Sequence, residues 1–331
     1  MSSLPAVNAF IGESSAFRTM LSILSRIARY DATVLISGET GSGKEMAARA
    51  IHYQGSRRER PFIPVNCGAL PDHLVENELF GHARGAYTDA RESQIGLIAQ
   101  AEGGTLFLDE VDTLTTKAQV SLLRFLQDGQ YRRLGSSRSE TADVRIVAAC
   151  NSDLRQSVDQ GCFRADLYYR LTAMELQVPP LRAREYDAVL LARHFVAESA
   201  RQYRLPVQDL HPETEHWLLH YAWPGNVREL HNRIQREFLL SDGPDILVRE
   251  VAPDNDRRRQ PDRRLACPMT LNFNEAKQQV VNTFERSQLQ RLMREAAGNV
   301  SNAARLAGKE RRALGKLLKK HGIEPDDFRR G

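Results

Sequence analysis

The chain has 331 residues, of which 41% are hydrophobic and 27% charged, a composition that fits two or three globular domains. No apolar run is long enough to cross a membrane, and residues 1–9 lack the basic-plus-apolar pattern of a secretion signal, so we expect neither a membrane protein nor a secreted one. The four cysteines show no CxxC pair or metal-ligand spacing, which predicts reduced thiols in a cytoplasmic protein.

The net charge of +4 is unevenly distributed along the chain. Residues 271–331 carry thirteen lysines and arginines against seven acidic residues, so the rest of the chain is slightly acidic. Positive charge concentrated at one end predicts a contact with nucleic acid there.

An amphipathic helix is predicted over residues 15–29, where apolar side chains recur at helical spacing. The stretch before it has no room for a receiver or sensory domain. We therefore expect regulation to come from the rest of the chain, from its abundance, or from a partner that acts in trans.

A glycine-rich loop, Ser-Gly-Glu-Thr-Gly-Ser-Gly-Lys-Glu at residues 37–45, lies between a predicted buried strand and a helix that starts near Lys44. Strand, loop and helix in this order are the context of a phosphate-binding loop, in which backbone N–H groups and the lysine bind phosphates. Glu45 stands where the usual pattern has a hydroxyl for Mg²⁺. The predicted nucleotide-binding residues are Gly38, Glu39, Thr40, Gly41, Ser42, Gly43, Lys44 and Glu45.

The next predicted strand, at residues 61–67, contains Asn66 near its carboxyl end. Two roles are open for this side chain. It either forms a turn, as asparagine often does, or it hydrogen-bonds Glu110 and holds that carboxylate off the attacking water until a signal arrives.

The stretch Glu-Leu-Phe-Gly-His-Ala-Arg-Gly-Ala-Tyr-Thr-Asp-Ala at residues 78–90 would be an ordinary turn on its composition alone. It resembles the surface loop of the sigma-54-dependent transcription activators, which are bacterial enhancer-binding proteins of the AAA+ class. That loop usually reads Gly-Ala-Phe-Thr-Gly-Ala. The resemblance extends over nearly the whole chain, from Ile-Gly-Glu-Ser at 11–14 onward, and includes the phosphate loop and Val-Asn-Cys at 65–67.

The resemblance implies an α/β fold in which a parallel AAA+ P-loop sheet is sandwiched by helices, with a small helical lid and a C-terminal all-α helix-turn-helix domain. It also implies that Asn66 is a switch residue and that the loop contacts sigma-54. Tyr87 replaces the usual phenylalanine, and Asp89 replaces a glycine, adding a side chain and a negative charge. The implied contact residues are Gly85, Ala86, Tyr87, Thr88, Asp89 and Ala90.

Two carboxylates, Asp109 and Glu110, follow a predicted apolar strand. Ligands of open α/β sheets bind at the carboxyl ends of the strands, so these side chains are expected beside the phosphate loop. Asp109 is placed to hold Mg²⁺ through water, and Glu110 to polarise a water for attack on the γ-phosphate. The alternative is an acidic strand end before a helix. Together with the loop, the pair predicts hydrolysis of ATP or GTP, and the resemblance implies ATP.

Three further parts of the site depend mainly on the resemblance. Asn151 ends a predicted strand and can reach the γ-phosphate or the attacking water, although it could also be a turn residue. Arg164 and Arg170 are implied arginine fingers that enter a neighbour's site, which requires a ring of subunits, hexameric by resemblance. Without the resemblance, a solvated arginine pair is favoured. Arg228, in Trp-Pro-Gly-Asn-Val-Arg-Glu-Leu, is the implied lid-side sensor.

The C-terminal end reads as two short helices joined by a glycine turn, at residues 302–306 and 310–321. This pattern is typical of a helix-turn-helix, and it resembles the Fis-type DNA-binding end of the same activators. A basic helical hairpin that contacts protein is the alternative. An apolar pattern from residue 273 to residue 292 predicts dimerisation. The predicted DNA-binding residues are Arg311, Arg312, Lys316, Lys319 and Lys320.

These patterns divide the chain into an α/β nucleotide-binding part at 1–172, a lid at 173–248, a linker at 249–268 and a DNA-binding domain at 269–331. The favoured interpretation is an activator that binds upstream enhancer-like DNA, forms a ring and uses ATP and Mg²⁺ to remodel sigma-54 RNA polymerase. One alternative is a DNA-binding regulator that does not engage sigma-54 because of Asp89. Another is a remodeller of a different substrate, which the DNA-binding end disfavours.

Overall fold

The computed structural model describes residues 10–69, 71–86, 92–241, 243, 245–248, 289, 293, 296, 298–307 and 311–320. The chain divides into two compact units, Met1–Pro253 and Asp254–Gly331. The contact-loop residues Tyr87, Thr88, Asp89 and Ala90, and the predicted linker at 249–268, lie outside the described residues. None of the helices in the described ranges combines the length and the hydropathy of a membrane span.

The strands of the described chain all lie in the first unit. They are β1 (Val34–Ser37), β2 (Phe62–Asn66), β3 (Gly81–His82), β4 (Gln94–Ile95), β5 (Thr105–Asp109), β6 (Gln130–Tyr131), β7 (Glu140–Thr141), β8 (Arg145–Cys150), β9 (Met174–Gln177), β10 (Asp209–Leu210) and β11 (Asp245–Ile246).

Of the described helices, ten belong to the first unit and two to the second. They are α1 (Ser15–Ile27), α2 (Lys44–Tyr53), α3 (Asp72–Phe80), α4 (Leu97–Gln100), α5 (Thr116–Asp128), α6 (Leu154–Asp159), α7 (Ala165–Leu171), α8 (Asp187–Tyr203), α9 (Pro212–His220), α10 (Asn226–Leu240), α11 (Val300–Leu306) and α12 (Arg311–Lys320).

Five strands form a parallel sheet in the order β2–β5–β8–β1–β9. Successive side chains of a strand point to opposite faces, and both faces of this sheet are covered. Phe107 of β5 packs in the cluster formed with α1 and α2, which includes Phe17 and Leu24. Leu106 and Leu108 pack in the opposite cluster, which includes α5 and α7. The predicted parallel sheet sandwiched by helices is confirmed.

The α/β part extends beyond the boundary predicted at residue 172. Strand β9 pairs with β1 in register, Val34 opposite Met174 and Ser37 opposite Gln177, and so completes the sheet. The predicted border at residue 172 lies before this strand and so assigns it to the lid. Hydrogen bonding to β1 corrects the border to a position after Gln177.

The lid consists of α8, α9 and α10 around a core that contains the buried side chains of Trp223, Leu230 and Phe238. A single 3-10 turn, Leu181–Ala183, leads into it. The predicted helical lid is thus found, in the described residues, as three α-helices and this turn.

The second unit has its own small core, in which Ala303 of α11 meets Leu314 and Leu318 of α12. The side chain of Asn299 accepts hydrogen bonds from the backbone of Ser301 and Asn302 and so caps α11, which begins two residues earlier than predicted.

Candidate active site

The order of the sheet brings three chain segments to one edge. Strands β5, β8 and β1 are neighbours and all run in the same direction, so their carboxyl ends lie side by side. The phosphate loop follows β1, Asp109 ends β5, and Asn151 follows β8. This is the edge at which ligands of open α/β sheets bind.

Lys44 is the first residue of α2, and only 6% of its surface is exposed. Its Nζ donates hydrogen bonds to the carbonyl oxygens of Gly38, at 2.8 Å, and of Glu39, at 3.1 Å. A third hydrogen bond, of 2.6 Å, goes to Oδ1 of Asn151. Burial lowers the pKa of Lys44, and the nearby carboxylates, Asp109 foremost, oppose that shift.

Glu110 is held by Asn151, whose Nδ2 donates to Glu110 Oε1 at 3.1 Å. The side chain of Asn66 is used elsewhere, since its Oδ1 accepts from the backbone N–H of Ala69 at 3.0 Å. In this structure Asn66 therefore takes the turn role, and the predicted bond from Asn66 to Glu110 is replaced by one from Asn151. The sequence analysis predicted that Asn66 and Asn151 both lie at this edge, and it did not decide which of them contacts Glu110.

Glu110 lies in the left-handed region, with φ of 55°, which is uncommon for a residue with a side chain. Its carboxylate lies against Gly68, where a Cβ atom would overlap Oε2. Gly68 thus makes room for the carboxylate of Glu110. The sequence analysis missed this glycine, and its position two residues after Asn66 was the available signal.

Asp109 is the carboxylate best placed for Mg²⁺. Burial raises its pKa, while Lys44 and the backbone N–H of Glu110 lower it. Glu45, in contrast, lies exposed on α2 and is hydrogen-bonded to Arg49, at 2.7 and 3.0 Å. The described residues hold no group of three or more His, Cys, Asp or Glu that could bind a metal alone. Mg²⁺ at phosphate sites typically uses one or two carboxylates together with the phosphates, so this site fits it.

The loop also fits a phosphate. Among the described residues, Ser42 Oγ is buried and has no hydrogen-bond partner, so it is available to an entering oxygen. Gly43 has φ of 106° and open space where a Cβ would lie. A buried ammonium, an unsatisfied hydroxyl and free space at a helix N-terminus together favour an anionic ligand.

The lid contacts the loop directly through the start of α10. Val227 donates its N–H to the carbonyl of Gly41 at 3.1 Å, and Asn226 donates to Glu39 and to the carbonyl of Thr40, each at 3.1 Å. Cβ of Arg228 lies 3.1 Å from the position that a Cβ at Gly41 would take. The predicted lid-side sensor is therefore next to the loop.

An apolar cleft adjoins the loop, and the sequence analysis did not foresee it. It lies between α1, the loop helix α2, the end of the sheet and the lid, so its wall comes from four separate stretches of chain. Its lining includes Ile11, Phe17, Met46, Val178, Leu191 and Val227.

The two predicted arginine fingers lie away from this cluster at the surface. Arg164 precedes α7 and forms an ion pair with Asp166, with Nη2 2.6 Å from Oδ2. Arg170 lies exposed in the last turn of the same helix. The structure describes one subunit, and within it neither arginine is brought to the phosphate loop.

The comparison with protein families agrees with this geometry. The model of the Sigma-54 interaction domain matches residues 10–177, and that of the AAA+ ATPase lid domain matches residues 182–266. The chain belongs to the sigma-54 interaction family. The matched domain is an AAA+ ATPase, and the border between the two matches agrees with the position of β9.

Known members of the sigma-54 interaction family cover most of the chain. The regulatory protein GlrR of Escherichia coli K12 is 40% identical over 324 residues, which are 97% of this chain and 70% of that protein. The phenol regulator MopR of Acinetobacter guillouiae is also 40% identical, over 94% of this chain, but the chain spans only 56% of its length. A crystal structure of NtrX from Brucella abortus in complex with ATP has a TM-score of 0.69 and 33% identity, covering 96% of this chain and 70% of that one.

Replacing Lys44 by methionine should raise the pKa of Asp109, because the ammonium of Lys44 stabilises the ionised carboxylate. A carboxyl-carbon NMR titration of the nucleotide-free domain measures this pKa. The exposed Lys117, which pairs with Glu76, gives the control, and Lys117→Met should leave the titration of Asp109 in place. An Asp109 pKa that does not move in Lys44→Met would show that the two groups do not interact.

Proposed function

We propose that this protein is a sigma-54-dependent transcription activator that binds upstream DNA, assembles into a ring and uses ATP hydrolysis to remodel sigma-54 RNA polymerase. The observation that carries the proposal is the chain of hydrogen bonds from Lys44 through Asn151 to Glu110, beside Asp109, in a domain of this family.

Each member of the cluster has a role in hydrolysis. Lys44 and the loop N–H groups bind the phosphates. Asp109 would hold Mg²⁺, which would neutralise charge on the phosphate oxygens. Glu110 orients the attacking water. Because Asn151 bonds both Lys44 and Glu110, a γ-phosphate that draws Lys44 and Asn151 toward itself frees Glu110 for that water. Such coupling would restrain hydrolysis until the phosphates are seated.

ATP is the proposed nucleotide. Solved structures of the related NtrX from Brucella abortus are described as complexes with ATP and with ADP. In the present chain the apolar cleft adjoins the loop and is lined by Ile11, Val178 and Val227, which suits the flat faces of a purine.

A ring is proposed because the two implied arginine fingers lie at the surface, where they can reach a neighbouring subunit. Arg164 and Arg170 are both exposed, and an arginine supplied by a neighbour stabilises charge on the transferred phosphate. Arg164 must first leave Asp166, and since that ion pair is exposed, its loss costs little. The ring size proposed from the family is six.

The proposed contact with sigma-54 is the loop at residues 85–90. The residues that lead into this loop, its base, are hydrogen-bonded to the rest of the domain. Ala83 donates its N–H to the carbonyl of Leu134, and Leu134 donates to the carbonyl of Gly81, both at 2.9 Å. Gly135 lies directly below Ala86, where an added Cβ would come within 2.6 Å of the alanine Cβ. This base fixes where the loop leaves the domain.

DNA binding is proposed for α12. Its buried face carries Leu314 and Leu318, while Arg312 and Lys316 are exposed on the other side. Exposed cations on the second of two short helices suit a groove of DNA and its phosphates. Lys319 and Lys320, at the end of the helix, are exposed as well, and Arg311 begins it.

Glu110→Gln should bind ATP and fail to hydrolyse it, because the amide keeps the shape and loses the base. We expect turnover to fall by about 10²–10⁴-fold with little change in nucleotide affinity. Steady-state phosphate release and equilibrium binding measure the two quantities. Lys44→Ala is the companion variant and should lose binding itself. Normal turnover of Glu110→Gln would assign the water to another group.

Open-complex formation on a sigma-54 promoter tests the activator role. Reconstituted sigma-54 polymerase with ATP is incubated with the native protein or with Asp89→Gly, which restores the usual glycine of the contact loop. We expect the native protein to open the promoter and the variant to do so at least as well, because the glycine removes a charge at the contact. If neither protein acts while both hydrolyse ATP, the chain is a regulator that does not engage sigma-54.

Arg312→Ala should weaken specific DNA binding by about 1–3 kcal/mol if this side chain reads a base edge. Basal ATPase activity should be unchanged, since Arg312 belongs to the second compact unit. Binding to the upstream region of the target promoter is followed by fluorescence anisotropy at fixed salt. An equal loss on specific and random DNA would limit the role of Arg312 to phosphate contact.

A further inference from the structure

A buried ion pair lies beside the apolar cleft and has no part in the phosphate chemistry. Arg184 follows the 3-10 turn that enters the lid, and Asp187 is the first residue of α8. Their side chains are 4% and 1% exposed, and Arg184 Nε lies 3.1 Å from Asp187 Oδ2. Burying two charges carries a large desolvation cost, so such a pair stabilises a structure only when its remaining hydrogen-bonding atoms are also satisfied.

The remaining hydrogen bonds of Asp187 all come from the segment before α1. Its Oδ1 accepts from the backbone N–H of Glu13, at 2.7 Å, and of Ser14, at 3.0 Å. Its Oδ2 accepts from the hydroxyl of Ser14 at 2.8 Å. Burial acts to raise the pKa of Asp187, but the bonds from Glu13, Ser14 and Arg184 prevail and hold that pKa below its usual value. The carboxylate is therefore ionised, and it is hydrogen-bonded to residues that lie more than 170 positions earlier in the sequence.

Arg184 also holds the segment at residues 11–14, through contacts with Ile11 and with Phe17. Its Nη2 donates to the carbonyl of Ile11 at 2.8 Å, and its guanidinium lies over the ring of Phe17, 3.9 Å from the ring centre. Gly12 allows this approach. A Cβ at Gly12 would come within 2.5 Å of Phe17 Cδ1, 2.6 Å of Asp187 Oδ2 and 2.8 Å of Arg184 Nη2.

The segment at residues 11–14 and its neighbours form one wall of the apolar cleft. Phe10, Ile11, Phe17 and Arg184 line it on this side, opposite the loop helix, where Met46 and Ala47 contribute. Residues 11–14 belong to no strand or helix. Ser14 caps α1, and the other hydrogen bonds described above join this segment to Arg184 and Asp187, so these two residues position the wall.

We propose that Arg184 and Asp187 are positioning residues for the nucleotide base, because their pair holds segment 11–14 against lid helix α8 and so fixes the wall of the cleft. The inference rests on the proposed function, since it takes the phosphate loop as an ATP site. The pair also joins the wall to the lid, so occupation of the cleft by a base and the position of the lid are coupled.

The test separates the base from the phosphates. Binding of Mg²⁺–ATP, Mg²⁺–ADP and Mg²⁺–tripolyphosphate, which has no base, is measured by calorimetry for the native protein, Asp187→Asn and Gly12→Ala. Asp187→Asn keeps the shape and removes the charge. Gly12→Ala keeps both charges and displaces the wall through steric overlap with Phe17, Asp187 and Arg184, so it serves if Asp187→Asn does not fold.

We expect both variants to bind ATP and ADP at least tenfold more weakly and to bind tripolyphosphate as the native protein does. In steady-state hydrolysis KM should rise by a similar factor while kcat changes less than about threefold, because the cluster at Glu110 is untouched. Glu215→Gln is the matched control, since it breaks the exposed ion pair of Glu215 with Arg193 on the same lid and should change neither nucleotide nor tripolyphosphate binding.

Unchanged ATP affinity in the folded variants would overturn the positioning role and leave the ATPase assignment intact. An equal loss for ATP and tripolyphosphate would also overturn it, because the effect would then lie in the phosphate loop. Failure of the proposed function has a different signature, namely normal ATP binding by Lys44→Ala.

Discussion

The site depends on keeping one ammonium group, that of Lys44, almost fully out of water. Burial disfavours the charge, so the group is stable there only because two loop carbonyls and Asn151 accept its hydrogen bonds and because Asp109 lies nearby. These partners follow three neighbouring parallel strands. A different strand order would separate Lys44 from these partners. The stability of its buried charge therefore depends on the order of the strands.

The shape of the phosphate loop depends in part on its contact with the lid. Gly41 meets the backbone of Gly225 so closely that a side chain would overlap its carbonyl oxygen, while Gly43 faces open space. One loop glycine therefore serves the contact with α10, and the other leaves room for phosphate. Asn226 reinforces this contact, since it is fully buried and also accepts from the backbone N–H of Leu181 at 2.8 Å. Loop and lid are thus in direct contact.

Local patterns predicted the fold and the chemistry well, because strand, loop and helix follow one another in the chain. The role of each asparagine was not predictable in the same way. Strand β5 has β2 on one side and β8 on the other, so Asn66 and Asn151 both end next to Glu110. Which amide turns toward the carboxylate depends on the 3-10 turn at Cys67–Ala69, which takes up the side chain of Asn66. The predicted lid border at residue 172 came before β9, which pairs with β1 and so belongs to the sheet.

The cleft and its ion pair show the limit of reading a sequence locally. Arg184 and Asp187 are three residues apart on an otherwise charged stretch, where an exposed pair worth little is the natural expectation. Only the fold brings segment 11–14 over these two residues and excludes water from them. The result is a buried ion pair in which Asp187 accepts three hydrogen bonds from Glu13 and Ser14 and one from Arg184. Gly12 was the one local sign, because a glycine in a segment without a tight turn indicates close approach of another group. Since the wall and the lid share this ion pair, nucleotide affinity and lid position have a common physical origin.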